Sequence, residues 1–110
     1  MTTVTIPDKY AEALRALGDV QMAVDLALQR YTIEQITAKI TSLRQRVHAY
    51  ETKYGLDYAT FTRRIAHEEA FVREIEATVN PLWELDQADW EFCVKGIEDW
   101  TRTLQTILLT

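Results

Sequence analysis

Residues 33–54, IEQITAKITSLRQRVHAYETKY, decide the fold class. Ile33, Ile36, Ile40, Leu43, Val47, Tyr50 and Tyr54 follow one another at spacings of 3, 4, 3, 4, 3 and 4. Ile33, Ile40, Val47 and Tyr54 fall at heptad position a, and Ile36, Leu43 and Tyr50 at d. On an α-helix they form one apolar seam, and a seam this regular needs a facing helix to bury it. Its flanks carry Lys39 and Arg46 at g, with Arg44 and Glu51 at e. In a parallel twin Lys39 would meet Arg44 and Arg46 would meet Glu51, one repulsive and one attractive contact, so self-pairing gains little. The basic flank suits acidic helices downstream, in the same chain or in a second copy.

Upstream of the seam, Val20, Ala23, Val24, Ala27, Leu28 and Tyr31 make a broad apolar helical face. No Gly or Pro interrupts the run, which predicts one long helix over 20–54, with any bend at the weak helix formers Tyr31-Thr32-Ile33. Asp19 is its expected N-cap, and Gly18 stops a shorter helix over 8–17 that presents Tyr10, Ala13, Leu14 and Leu17. Asp8 is the expected cap of that shorter helix. Before it, Thr2 to Ile6 alternates polar and apolar β-branched residues, which predicts a short strand ended by Pro7.

Downstream, Gly55 ends the long helix and Asp57 caps the next. Tyr58, Phe61, Ile65, Val72, Ile75 and Val79 repeat the alternating spacing, with Glu68 in the one missing place, which predicts a single helix to Val79. Asn80-Pro81 breaks it. A last helix starts between Leu82 and Asp86 and runs to about Leu109, with Trp90, Val94, Ile97, Trp100, Leu104 and Leu108 on one face and Gly96 as a weak point.

At 110 residues, 47% hydrophobic and 26% charged, the chain has one folded domain's worth of material, near the size at which partners help. Met1 to Pro7 has neither the basic residue nor the apolar segment of a signal peptide. No apolar run approaches the roughly 20 residues of a membrane span, so no membrane partner is expected. A lone cysteine, Cys93, leaves no internal disulfide or cysteine metal site, and the expected compartment is the cytoplasm. Residues 1–54 carry seven Lys/Arg against six Asp/Glu, whereas 55–110 carry five against eleven. The acidic second half disfavours nucleic acid there and fits a basic partner or a solvated helical surface.

Catalytic chemistry is not legible. Gln45 and Arg64 stand where a Glu-x-x-His pair ending at His48 or His67 would need its glutamate, and no HExxH occurs. There is no nucleophile elbow or Gly-rich phosphate loop. The expectation is a protein with no enzyme activity, no cofactor and no metal.

The N-terminal pattern Val4-x-Ile6-Pro7, Leu14 and Leu17, then Val24-Asp-Leu-Ala27-Leu28-Gln-Arg-Tyr31, resembles the ribbon–helix–helix fold of dimeric prokaryotic transcription factors and antitoxins. The resemblance implies a mainly α chain with one short strand that pairs with a second copy's strand in an intermolecular ribbon. It implies dimerisation through Val4, Ile6, Val24 and Leu28, and operator DNA contacted by Thr3, Thr5 and Lys9. A ribbon that only dimerises is the alternative, since neither Thr3 nor Thr5 grips a base edge in bidentate fashion. On this reading residues 1–31 are the dimerisation segment and 32–110 a helical hairpin or bundle.

The segment from Trp83 to Trp100 joins large anchors to carboxylates: Trp83, Glu84, Asp86, Asp89, Trp90, Glu91, Phe92, Asp99 and Trp100 are the candidate partner-binding residues. With Tyr54-Gly55-Leu56-Asp57-Tyr58-Ala59-Thr60-Phe61, the Asp89-Trp90-Glu91 run resembles helical prokaryotic antitoxins. The resemblance implies that the acidic C-terminal half masks a small basic toxin of RNA-cleaving type. The competing reading packs Trp90 and Trp100 into the chain's own core and leaves Trp83 and Phe92 as contacts. A structural or adaptor helical homodimer, with neither toxin nor DNA, is the alternative function.

Overall fold

The structure is a computed structural model that describes residues 3–110. Those residues form five helices: α1 (Asp8–Leu17), α2 (Val20–Tyr54), α3 (Tyr58–His67), α4 (Glu69–Thr78) and α5 (Trp83–Leu109). The chain divides into two units, one reaching to Gln35 and the other Ile36–Thr110.

The expected strand is not formed. Residues 3–7 take no strand conformation, no strand is present among the described residues, and Thr2 lies outside them. Val4 is 66% exposed and Ile6 half-buried. A strand is held by a neighbour that takes up its backbone N–H and C=O groups. Two apolar side chains followed by Pro7, which lacks a donor, give little drive toward pairing. The Pro7 carbonyl instead accepts from the N–H groups of Tyr10 and Ala11 at 3.0 and 3.2 Å, which starts α1. The intermolecular ribbon falls with the strand, and so does the ribbon geometry that would have aimed Thr3, Thr5 and Lys9 at DNA.

In the N-terminal unit the helix boundaries follow local chemistry. Pro7, not Asp8, precedes the first helical turn, and Asp8 sits inside it as an acidic residue near the positive end of the helix dipole. Gly18, at φ +145°, turns the chain and donates its N–H to the Leu14 carbonyl. Asp19 then caps α2, its Oδ1 accepting from Met22 N–H at 2.9 Å. No residue of α1 is buried, and along α2 the first buried side chain is Ile36.

The larger unit is built on the seam. Ile36, Ile40, Leu43 and Tyr54 are buried, with Val47 and Tyr50 half-buried. Their facing helix is α5, which runs antiparallel to α2: Leu43 lies against Gly96, Tyr50 reaches Asp89, and Tyr54 reaches Asp86. Gly55, at φ +72°, closes α2 in the left-handed region with its N–H on the Glu51 carbonyl at 2.8 Å. Asp57 caps α3 by accepting from Thr60 N–H at 2.7 Å.

The single helix expected from Tyr58 to Val79 is two. Glu68, at φ −122° and ψ 95°, leaves helical conformation and ends α3, while its carbonyl accepts from Val72 N–H in α4. Burial imposes the break. Phe61 and Phe71 meet edge to face at 6.0 Å, and the Arg64 guanidinium stacks 4.1 Å from the Phe71 ring while it holds Glu68 in a bidentate ion pair. After α4, Asn80 makes the turn by accepting from Leu82 N–H at 2.9 Å.

Candidate partner-binding surface

The centre of the larger unit is Trp90, fully buried on α5. Around it stand Phe61 at 5.3 Å, Tyr58 at 5.5 Å, Tyr50 at 5.7 Å and Tyr54 at 5.8 Å between ring centroids. Stacked and edge-to-face aromatic pairs of this kind add about 0.5–1.5 kcal/mol each beyond burial. The Trp90 Nε1 is buried with no hydrogen-bond partner among the described residues. Cys93, one turn further on, is also fully buried, and burial pushes its thiol above the ordinary range. It is an inert core side chain.

Asp86 and Asp89 flank this core and turn inward to α2. Asp86 Oδ2 accepts from Tyr54 Oη and Lys53 Nζ at 2.6 Å and from Asn80 Nδ2 at 3.1 Å. Asp89 accepts from Tyr50 Oη at 2.5 Å and pairs with Arg46. Burial pushes the Asp86 carboxyl up, but the hydrogen bonds from Lys53, Tyr54 and Asn80 outweigh it and hold the carboxyl below its ordinary value. Tyr54 is pushed up to about 12, by burial first and then by its bond to Asp86. Tyr50 is also raised, chiefly because it donates to Asp89. Both phenols are protonated donors at neutral pH, and on the basic flank of the seam Arg46 and Lys53 pair with the chain's own acidic helix.

The other candidate residues separate by helical phase. Asp86, Trp90, Cys93 and Ile97 follow at spacings of 4, 3 and 4 and face the core. Leu85 and Phe92, seven apart, stand on the outward side at 69% and 63% exposure. Glu84, Glu98 and Asp99 are exposed near them; Glu91 is half-buried and pairs with Lys95 at 3.0 Å, and Asp99 pairs with Arg102 at 3.3 Å. Trp83 is half-buried with its ring 6.4 Å from Phe61, and Trp100 is at the border of exposure. Arg46 lies 5.9 Å from the Phe92 ring, so one edge of the outward face touches the internal ion pair.

Leu82 and Leu85 belong to this outward surface although the sequence reading left them out. The signal was there: Leu85 is one heptad before Phe92, a phase visible once Trp90 is fixed in the core. Of the residues assigned to dimerisation, Val4 and Leu28 are exposed and Ile6 and Val24 half-buried. Thr3, Thr5 and Lys9 are exposed. Thr41, Arg44, Gln45 and His48 line a shallow open depression on the polar side of α2. Among the described residues no group of three or more His, Cys, Asp or Glu is placed to hold a metal ion, and no helix is long and apolar enough to cross a membrane. Comparison with protein-family models, with curated proteins and with solved structures returns no match.

Proposed function

We propose that the protein is a non-catalytic, antitoxin-like binding protein of the cytoplasm that masks a small basic protein, of the RNA-cleaving toxin class, with the outward face of α5. The carrying observation is the exposure of Leu85 and Phe92, one heptad apart, on a helix whose neighbouring exposed residues include Glu84, Glu98 and Asp99. Apolar anchors ringed by carboxylates suit a basic groove: the anchors bury, and the rim charges steer and orient. The resemblance of Tyr54-Gly55 to Phe61 and of Asp89-Trp90-Glu91 to helical antitoxins supports the same reading. Trp90, Asp86 and Asp89 then act indirectly, by fixing α5 so that Leu85 and Phe92 face outward. No DNA-reading ribbon is part of this function.

The test is co-purification with the product of an adjacent gene that encodes a basic protein of about domain size. Wild type should retain that protein and inhibit its RNA cleavage. Leu85→Glu with Phe92→Glu should abolish both while leaving the helical circular dichroism signal intact, because both side chains are mostly solvent-facing. Retention by the double variant would remove the α5 face, and an uninhibited, unbound neighbour would remove the antitoxin reading.

A second reading, a structural or adaptor homodimer, is favoured by a separate observation. Tyr10, Leu17, Met22, Leu26, Leu28 and Tyr31 are all exposed in the N-terminal unit, where none of the described side chains is buried. Fewer than about 40 residues seldom fold without help. On this reading Leu17→Glu and Leu28→Glu halve the mass measured by light scattering; an unchanged mass excludes it.

A further inference from the structure

The break between α3 and α4 has an unusual origin. Tyr58, Phe61, Ile65, Glu68, Val72, Ile75 and Val79 keep the 3-4 heptad phase without interruption across it. The residues at the break, Ala66-His67-Glu68-Glu69-Ala70, include no Gly and no Pro, and Glu68 makes no side-chain cap on α4. Ala and Glu are good helix formers, so local preference asks for a continuous helix where the tertiary structure bends it. Elsewhere the larger unit turns tightly. Gly55 and Asp57 hold α3 to the end of α2, and the four residues Val79 to Leu82 hold α4 to α5, with Asn80 donating to Asp86 and accepting from Leu82 N–H. Glu68 is therefore the one junction at which the unit can come apart into two blocks, α4–α5 on one side and α3 with the α2 seam on the other.

We propose that Glu68 is a domain-swapping hinge: α3 and α4 rejoin as one helix, and the α4–α5 block of each chain packs onto the α2 seam and α3 of a second copy. Straightening relieves the local conflict at Glu68. The swapped pair rebuilds between chains the core contacts that join the two blocks, Trp90 among Tyr50, Tyr54 and Phe61, and Asp89 on Arg46, so little burial is lost. Only the hinge changes conformation. A rejoined helix of residues 58–78 spans about 31 Å at 1.5 Å per residue. That length carries α5 beyond its own seam, which is why the acceptor is a second chain and not the same one. Swapping at Glu68 is independent of what α5 binds.

Glu69 offers a clean block. It is the first residue of α4, a position that favours proline, and Glu68 before it already has the extended backbone that a following proline requires. Glu69→Pro is thus compatible with the bent form and forbids the straight one, while Glu68→Leu fills the gap in the seam and favours the straight one. The decisive experiment mixes two full-length variants, Arg46→Asp and Asp89→Arg. Each alone sets like charges against each other across α2 and α5. In a swapped heterodimer both opposite-charge pairs return, because each α2 receives the other chain's α5. Co-refolding an equimolar mixture should raise Tm above either variant alone, more strongly with Glu68→Leu added to both chains. With Glu69→Pro in both chains the gain should vanish. A mixture whose Tm stays at that of the separate variants overturns the hinge, and so does a gain that survives Glu69→Pro. If the charge variants fail to fold, labels at the exposed Ala59 and Ala77 of Glu68→Leu must show an inter-label separation near the straight-helix value of about 27 Å, absent in Glu69→Pro; its absence from both overturns the proposal.

Discussion

Trp90 governs the larger unit because its ring packs against α2 and α3 at once, through Tyr50, Tyr54, Tyr58 and Phe61. Truncation to alanine leaves a cavity between all of them, and loss of about 3–5 kcal/mol is expected by chemical denaturation. Trp90→Phe should cost distinctly less, since a phenyl ring refills most of the cavity among the same aromatic rings. Equal losses for the two variants would mean that ring packing at this position contributes nothing. Asp86 gives a pH signature. Its folded-state pKa is lowered, so the unfolded chain binds the proton more tightly; its contribution is complete above the ordinary carboxylate pKa of about 4 and is lost as pH falls through the lower folded value. Asp86→Asn should be less stable than wild type at pH 7, with the difference shrinking as the pH falls below 4. A constant difference down to pH 2 would show that Asp86 acts through shape alone. Trp90 in the core was the competing reading of the sequence; the inward turn of the two carboxylates was not legible there, where Asp86 and Asp89 read as partner-facing acids. Tyr50 and Tyr54, counted as seam apolars, carry hydroxyls that draw those carboxylates inward.

At the scale of elements, local signals placed most of the helices. The bounds of α1 and α2 follow the Gly18-Asp19 stop and cap, and those of α3 begin at the Gly55 turn and the Asp57 cap, all short-range hydrogen bonds. Gly96, which the sequence marked as a weak point in α5, is instead a contact. A Cβ there would lie 2.9 Å from Leu43 Cδ1, so the glycine lets α5 approach the seam. Gly96→Ala exchanges a helix-propensity gain of up to about 1 kcal/mol against displacement of the mobile end of Leu43. Its Tm should lie within a few degrees of wild type, whereas Gly96→Val should fall well below both. A Gly96→Val protein as stable as Gly96→Ala would mean that the helices part at no cost. The stripe Val24, Tyr31 continues at heptad spacing to Ala38 and Gln45, both exposed, so it is not an extension of the seam from Ile36 onward. That change of register was present in the spacing, beneath the run's continuous helicity.

For the whole molecule, stability is unevenly distributed. Buried side chains begin at Ile36, and the exposed apolar residues of the N-terminal unit hold no core of their own. Backbone amides of α1 and of α2 up to Tyr31 should exchange with solvent much faster than those of residues 40–54 and 86–97, because local opening there exposes little that was buried. Uniform protection at high dilution would instead require a covering surface over the N-terminal helices. The sequence by itself determined the helical class, the ends of α1 and α2, the caps at Asp19 and Asp57 and the turns at Gly18 and Gly55. These depend on contacts three or four residues apart, which spacing reveals. Only the tertiary structure decided that the seam is faced by α5 of the same chain, that Asp86 and Asp89 turn inward while Leu85 and Phe92 turn out, that Val4 and Ile6 form no strand, and that the helix breaks at Glu68. The first two rest on groups more than thirty residues apart, the third on the lack of a neighbouring strand, and the break on how Phe61 and Phe71 are buried together; a one-dimensional pattern carries no record of which surfaces meet.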